Sequence, residues 1–182
     1  MFRLAPLLLT HSIDRGDNNV PKDASGTRSN ILTAAVQTLQ RGGVEGFTLD
    51  AVARRAGVVK GLVLYHYASR GRLLRAAASQ IAASRRAAID RALASAPGAG
   101  ALDACWDELR RQAEDGTARA WLSLCAAGLI DQSARNARFE DAARDAVIDG
   151  SAIALATGVP LADAKDAYDA LWLTLLEVTE KS

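Results

Sequence analysis

Between positions 60 and 70 the chain gathers an ammonium, a phenol, an imidazole and a guanidinium, carried by Lys60, Tyr65, His66 and Arg70. All four donate hydrogen bonds, and none stands in the setting of an activated nucleophile. Phosphodiester oxygens only accept, so donors strung along one short stretch suit a nucleic-acid backbone. Lys60 reaches either a phosphate or the O6/N7 edge of guanine, with phosphate the preferred reading. Gly61 lets a groove wall come close, and Leu62 offers only apolar contact, for instance to a thymine methyl. Bond-making chemistry has little to stand on. His11 and His66 are the two histidines, and no nucleophile elbow, phosphate-binding glycine loop or metal-ligand cluster occurs. The rear carboxylates fall mostly on polar helix faces, where solvation explains them. The expectation is a chain without catalytic residues, metal or cofactor.

The elements that hold these donors can be read from local signals. Leu49, Val52, Ala53 and Ala56 recur at helical spacing and give one apolar face. Thr48 stands at the N-cap, Asp50 suits the positive end of the helix dipole, and Gly57 ends the helix. A second helix starts near Val58–Val59. Two helices across a three- or four-residue glycine turn make a helix-turn-helix, whose second helix enters the DNA major groove. Thr48 and Arg54 or Arg55 on the preceding helix read as backbone clamps rather than base readers. A helix from about Thr27 to Gln40 precedes the pair, with Ile31, Leu32, Ala35, Val36 and Leu39 facing inward and Val44 and Phe47 plugging the core. Ser69 caps a fourth helix carrying Leu73, Leu74, Ala77, Ala78 and Ile81.

The stretch AVARRAGVVKGLVLYHYASRGRLL resembles the DNA-binding signature of the TetR family of bacterial transcription regulators. Ala56, Gly57, Val58, Lys60, Gly61, Tyr65, His66, Ser69, Leu73 and Leu74 match it without a gap. The likeness is tight over residues 27–74 and architectural beyond. It implies that Tyr65 and His66 meet phosphates, that Tyr67 packs inside, and that Arg70 clamps the DNA backbone again. Val59, Leu62 and Leu64 depart from it, standing where the family has Ser, Thr or Ala, and Tyr. The implied fold is all-α: a three-helix DNA-binding domain, then a helical ligand-binding and dimerisation domain. The implied DNA-reading set is Thr48, Arg54, Val59, Lys60, Gly61, Leu62, Leu64, Tyr65, His66 and Arg70.

Charge is divided unevenly. Residues 27–91 hold 11 Lys/Arg against 3 Asp/Glu, whereas residues 92–182 hold 8 against 15. A basic front and an acidic rear suit a nucleic-acid face with a repelled back. With 182 residues, 49% of them hydrophobic, the chain can bury a real core, yet no run approaches a membrane span. Phe2–Leu9 is apolar but short and lacks a cleavage site of small residues, so export is not expected. Cys105 and Cys125 fit no ligand spacing and read as reduced thiols in a cytoplasmic protein. Asp14, Gly16, Asp17, Pro21 and Gly26 break any period, so residues 1–26 read as a disordered arm, followed by the DNA-binding domain over 27–74 and the rear domain over 75–182.

Pro97–Gly100 interrupts the chain, and helices of roughly 101–114, 117–132, 137–156 and 161–179 follow. The resemblance places a cavity for an apolar or aromatic effector among them, lined by Trp106, Leu109, Trp121, Leu124, Cys125, Phe139 and Trp172. It pairs the last two helices with those of a second copy, through Ala142/Ala146/Ile153 and Ala170/Trp172/Leu173/Leu176. The expected function is a ligand-responsive repressor that binds a pseudo-palindromic double-stranded DNA operator as a homodimer. The alternative is a helical small-molecule-binding or protein-interaction module with weakened DNA binding.

Overall fold

The computed structural model describes residues 24–130 and 139–179. Among these lie eight helices and no strand: α1 Ala24–Gly42, α2 Leu49–Ala56, α3 Lys60–Tyr67, α4 Arg70–Leu93, α5 Ala99–Glu114, α6 Thr117–Ala126, α7 Phe139–Ala156 and α8 Leu161–Thr179. The arm expected over 1–26 gives up its last three residues to α1, and positions 1–23 lie outside the described residues. Helix α6 stops at Ala126, short of the expected 132. Gly128 takes φ +65°, and the Leu129 N–H turns back to the Leu124 carbonyl at 3.0 Å, a glycine-based stop that apolar periodicity does not reveal. No described helix is long and apolar enough to cross a membrane.

Apolar faces from α1 to α4 close over a front core of Ile31, Leu39, Phe47, Val52, Val63, Leu73 and Ile81, to which α6 adds Trp121 and Leu124. A rear core joins Ile89 of α4 to Cys105, Trp106 and Leu109 of α5, Val147 and Ile148 of α7, and Tyr168 and Trp172 of α8. The boundary expected at 74/75 therefore falls inside an unbroken 24-residue helix, α4, whose first half serves the front core and whose last turns serve the rear. At 1.5 Å per residue that shaft is about 36 Å long.

Two contacts fasten the halves together. The Gln40 side-chain amide donates to the Thr117 hydroxyl at 2.9 Å. Next to it Gly116, at φ +83°, lies so close that a Cβ would come 2.3 Å from the Gln40 carbonyl oxygen. Further along, the Arg85 guanidinium sits 3.0 Å from the Asp149 carboxylate and 4.7 Å above the Trp121 ring, joining α4, α6 and α7. Arg85 is only 6% exposed, so its charge depends on partners inside the protein.

Candidate nucleic-acid interface

Local chemistry sets the helix pair. Thr48 is extended, and its hydroxyl oxygen accepts the Ala51 N–H at 3.1 Å, so α2 starts where the side chain says it should. Gly57 at φ +68° ends it, with the Val58 N–H returning to the Ala53 carbonyl at 3.0 Å. Helix α3 begins at Lys60, with Val59 as an N-cap that makes no side-chain bond. It ends on Ala68, a non-glycine residue at φ +59°, and Ser69 then caps α4 by accepting the Arg72 N–H at 3.2 Å.

Long-range bonds fix this pair against α1. Asn30 donates to the Ala56 carbonyl at 2.8 Å, Arg28 to the His66 carbonyl at 3.1 Å, and the Tyr67 hydroxyl to the Arg28 carbonyl at 3.0 Å. The Arg28 guanidinium also lies 4.7 Å over the Tyr67 ring. Burial raises the Tyr67 hydroxyl above the ordinary phenol range, with Arg28 opposing, so it remains a donor at neutral pH. Tyr67 is thus a core residue, as expected of it. Arg28 and Asn30 escaped the sequence reading. Their basic and amide side chains near the start of α1 were visible, but their partners are carbonyls brought near only by folding.

The face of α3 turned away from the core carries Gly61, Leu62, Leu64 and Tyr65, with Val63 and Tyr67 buried on the other side. Tyr65 is 80% and Val59 74% exposed; the Tyr65 ring meets the half-buried His66 ring edge-on at 5.2 Å. A Cβ at Gly61 would meet nothing within 4 Å, so no contact inside the chain demands a glycine there. Lys60 pairs with Asp50 at 3.0 Å, both side chains more than half exposed. Such a surface pair contributes about 0–1 kcal/mol, so the ammonium is readily transferred to a phosphate. Thr48 and Arg54 are exposed beside it on α2. Arg70, expected as a phosphate clamp, also has a task within the chain. Its guanidinium donates to the carbonyls of Phe47 at 2.8 Å and Val44 at 3.2 Å, tying α4 to the turn before α2. Of the expected set, Thr48, Arg54, Val59, Lys60, Gly61, Leu64 and Tyr65 are exposed, Leu62 and His66 are half-buried, and the exposed Arg70 is tied to two carbonyls.

The residues expected around an effector are divided. Trp121 and Leu124 are buried in the front core with Cys125 packed against it, whereas Trp106, Leu109 and Trp172 belong to the rear core. Periodicity gives a helix its apolar face but not the neighbour that face meets, and α6 turns toward α1 and α4. The Phe139 side chain lies outside the described residues. Trp172, also expected on the dimer face, is instead 7% exposed and meets Tyr168 edge-on at 6.1 Å, and Trp106 meets the same Tyr168 ring at a tilt at 5.2 Å. Tyr168, which the sequence reading passed over, is fully buried and donates to the Leu102 carbonyl at 2.8 Å. Its position four residues from both Ala164 and Trp172 was the available signal. Burial, with the Cys105 thiol beside it, raises its hydroxyl well above the ordinary range. Cys105 is likewise pushed up by burial, keeping the thiol protonated. Among the described residues no His, Cys, Asp and Glu group of three or more is arranged to hold a metal ion.

Residues 31–77 match the model of bacterial regulatory proteins of the tetR family. Over 54 residues, 30% of this chain, the sequence is 39% identical to two proteins of Pseudomonas putida, the HTH-type transcriptional regulator SrpR and the uncharacterized HTH-type transcriptional regulator TtgW. The matched stretch spans 25% of the first relative and 40% of the second. The fold is similar to that of the multidrug binding protein EbrR complexed with imidazole, at TM-score 0.57 and 24% identity over 86% of this chain and 94% of that one. A TetR-family member from Streptomyces coelicolor superposes at TM-score 0.55, with 24% identity over 82% and 97% of the two chains. These structures share the all-helical architecture, and the sequence match falls on α1 to α4. Residues 31–77 thus form a domain of the kind found in bacterial regulatory proteins of the tetR family, on a fold similar to that of its solved members.

Proposed function

We propose that the chain is a sequence-specific DNA-binding regulator of transcription, acting in the cytoplasm as a homodimer on a pseudo-palindromic operator and functioning as a ligand-responsive repressor. The observation that carries this reading is the outward face of α3, held by bonds from α1 and framed by exposed cations. Val59, Leu64 and Tyr65 project from a three-helix unit, while Lys60, Arg54 and the hydroxyl of Thr48 stand at the edge as phosphate donors. His66, half-buried beside Tyr65, adds a ring N–H for the same backbone.

Dimerisation is supported by the opposite end. Ile153 on α7 and Leu173 and Leu176 on α8 are 48%, 61% and 47% exposed, with Ala142, Ala146 and Ala170 exposed beside them. Small residues between leucines let helices of a second copy approach, and two copies would present two reading helices to successive major grooves. An effector is supported by one buried polar side chain of α5. The buried Gln112 amide donates to Glu108 at 2.7 Å, but among the described residues none donates to its carbonyl oxygen, an acceptor that a ligand N–H or O–H would satisfy. A mainly apolar or aromatic effector held there would alter the spacing of the two reading helices by differential affinity for two dimer states.

Fluorescence anisotropy of duplexes from the gene's upstream region, at several salt concentrations, tests the reading. The expected result is nanomolar, sequence-dependent binding that weakens steeply with salt and is lost in Lys60→Ala/His66→Ala. A folded dimer that binds no DNA at low salt would overturn it and favour a ligand-binding module.

A further inference from the structure

The reading face of α3 is short of the side chains that read bases by hydrogen bonds. From Val59 to Tyr65 the polar side chains are Lys60, at the edge and paired with Asp50, and Tyr65, whose single hydroxyl lies at the end of the ring. The rest of the face is Val59, Gly61, Leu64 and the half-buried Leu62. Guanine and adenine are told apart through bidentate contacts from Arg, Lys, Asn or Gln, and this face presents no amide or guanidinium. Instead it exposes apolar surface, with Val59 at 74% and Leu64 at 38%. Such surface is costly in water unless something covers it. Its surroundings say what does. The residues 27–91 carry 11 cations against 3 anions, so the occupant is polyanionic, and the open space at Gly61 admits close approach. In the DNA major groove the apolar group on a base edge is the 5-methyl of thymine.

We infer that this chain selects its site by thymine methyl groups, with Val59, Leu62 and Leu64 as the residues that determine specificity and Lys60 and Tyr65 as phosphate anchors. The inference rests on the DNA-binding reading above. Each half-site then holds two or more A·T pairs whose thymines face Val59 and Leu62, and the methyl rather than the Watson–Crick identity carries the preference. Cytosine methylated at C5 presents a methyl at the same groove position and is tolerated better than cytosine.

The test begins with the full chain and a duplex selected from random DNA. Thymines are then replaced one at a time by deoxyuridine, which removes the methyl and nothing else. Burial of one methyl corresponds to about a 4-fold change in affinity, so that is the loss expected at each read thymine. Val59→Ala, a change at a largely exposed position, lowers affinity for the thymine duplex at its position and abolishes the thymine-over-uracil preference there, leaving the salt slope unchanged. Lys60→Ala does the reverse, flattening the salt slope and keeping the preference. Specific binding that is indifferent to uracil at every position would overturn the methyl reading and leave the DNA-binding function standing. Failure to select any duplex at low salt would overturn both.

Discussion

The two ends of the molecule are built from the same material and leave different things exposed. In front, α1 to α4 bury Phe47, Val52, Val63 and Leu73 completely, and the connecting turns are fastened by Asn30, Arg28, Tyr67 and Arg70 onto backbone carbonyls. What remains outside is a small apolar strip edged by cations. In the rear, Trp106, Tyr168 and Trp172 stack into a core of their own, and what remains outside is a leucine and alanine stripe among carboxylates. Exposed apolar surface of similar chemistry thus faces two opposite electrostatic settings. A polyanion is drawn to the first and repelled from the second, where the proposed dimer would seat another copy of the same helices. Helix α4 and the Arg85–Asp149 pair carry the mechanical connection between the ends.

The largest effect that separates the two ends is expected from Leu173→Glu. Placing a charge on the exposed stripe of α8, outside the Tyr168–Trp172 stack, should give a folded monomer by sedimentation with a nearly unchanged melting temperature. Operator affinity should fall by ~100-fold or more as the linked second half-site is lost. Next is the connection itself. Asp149→Ala leaves the buried Arg85 guanidinium without that carboxylate and should cost about 3 kcal/mol in denaturant unfolding, against little for any single exposed cation in front. Lys60→Ala is the front counterpart: unchanged stability, because its pair with Asp50 is at the surface, but a salt slope shallower by about 0.9 for each copy's lost phosphate. Ala68→Gly should stabilise by about 1 kcal/mol, since α3 ends on a backbone at φ +59° that a Cβ disfavours. Reading-face chemistry is untouched, so DNA affinity should hold.

The smallest expected effect is one of pH and lies in the rear. Burial by itself would raise the Glu108 carboxyl, but hydrogen bonds from Arg111 and Gln112 outweigh it and hold it below the usual carboxylate range. A carboxyl lowered by folding contributes stability above its unfolded pKa, and that contribution is lost as pH falls through the lowered folded value. Glu108→Gln should therefore flatten the acid limb of the stability profile, measured by thermal unfolding across pH, while the slope at neutral pH and above stays the same.

What the sequence made legible was local. Thr48, Gly57 and Ser69 act on their own neighbours within three or four residues, and each cap stands where its residue type predicts. That Lys60, Tyr65 and His66 share one short helix was also readable, because Gly57 and Ser69 bound that helix on either side. The role of Arg70 was not, since it depends on the Val44 and Phe47 carbonyls, which an irregular turn aims at it from 26 and 23 positions away. The rear residues failed for a related reason. Trp121 and Trp172 both signal an apolar face, yet one packs under the DNA-binding domain and the other into the rear aromatic stack, a choice made by helix packing rather than by period.

The most direct test of the account is hydroxyl-radical footprinting of the selected duplex by the wild-type chain and by Lys60→Ala/His66→Ala, with folding checked by circular dichroism. The account predicts two protected windows centred one helical turn, about 10 base pairs, or a multiple of it apart. Both windows should vanish together in the folded double variant. A footprint that survives the double substitution, or one that covers a single window at saturation, would contradict a dimer reading DNA through α3.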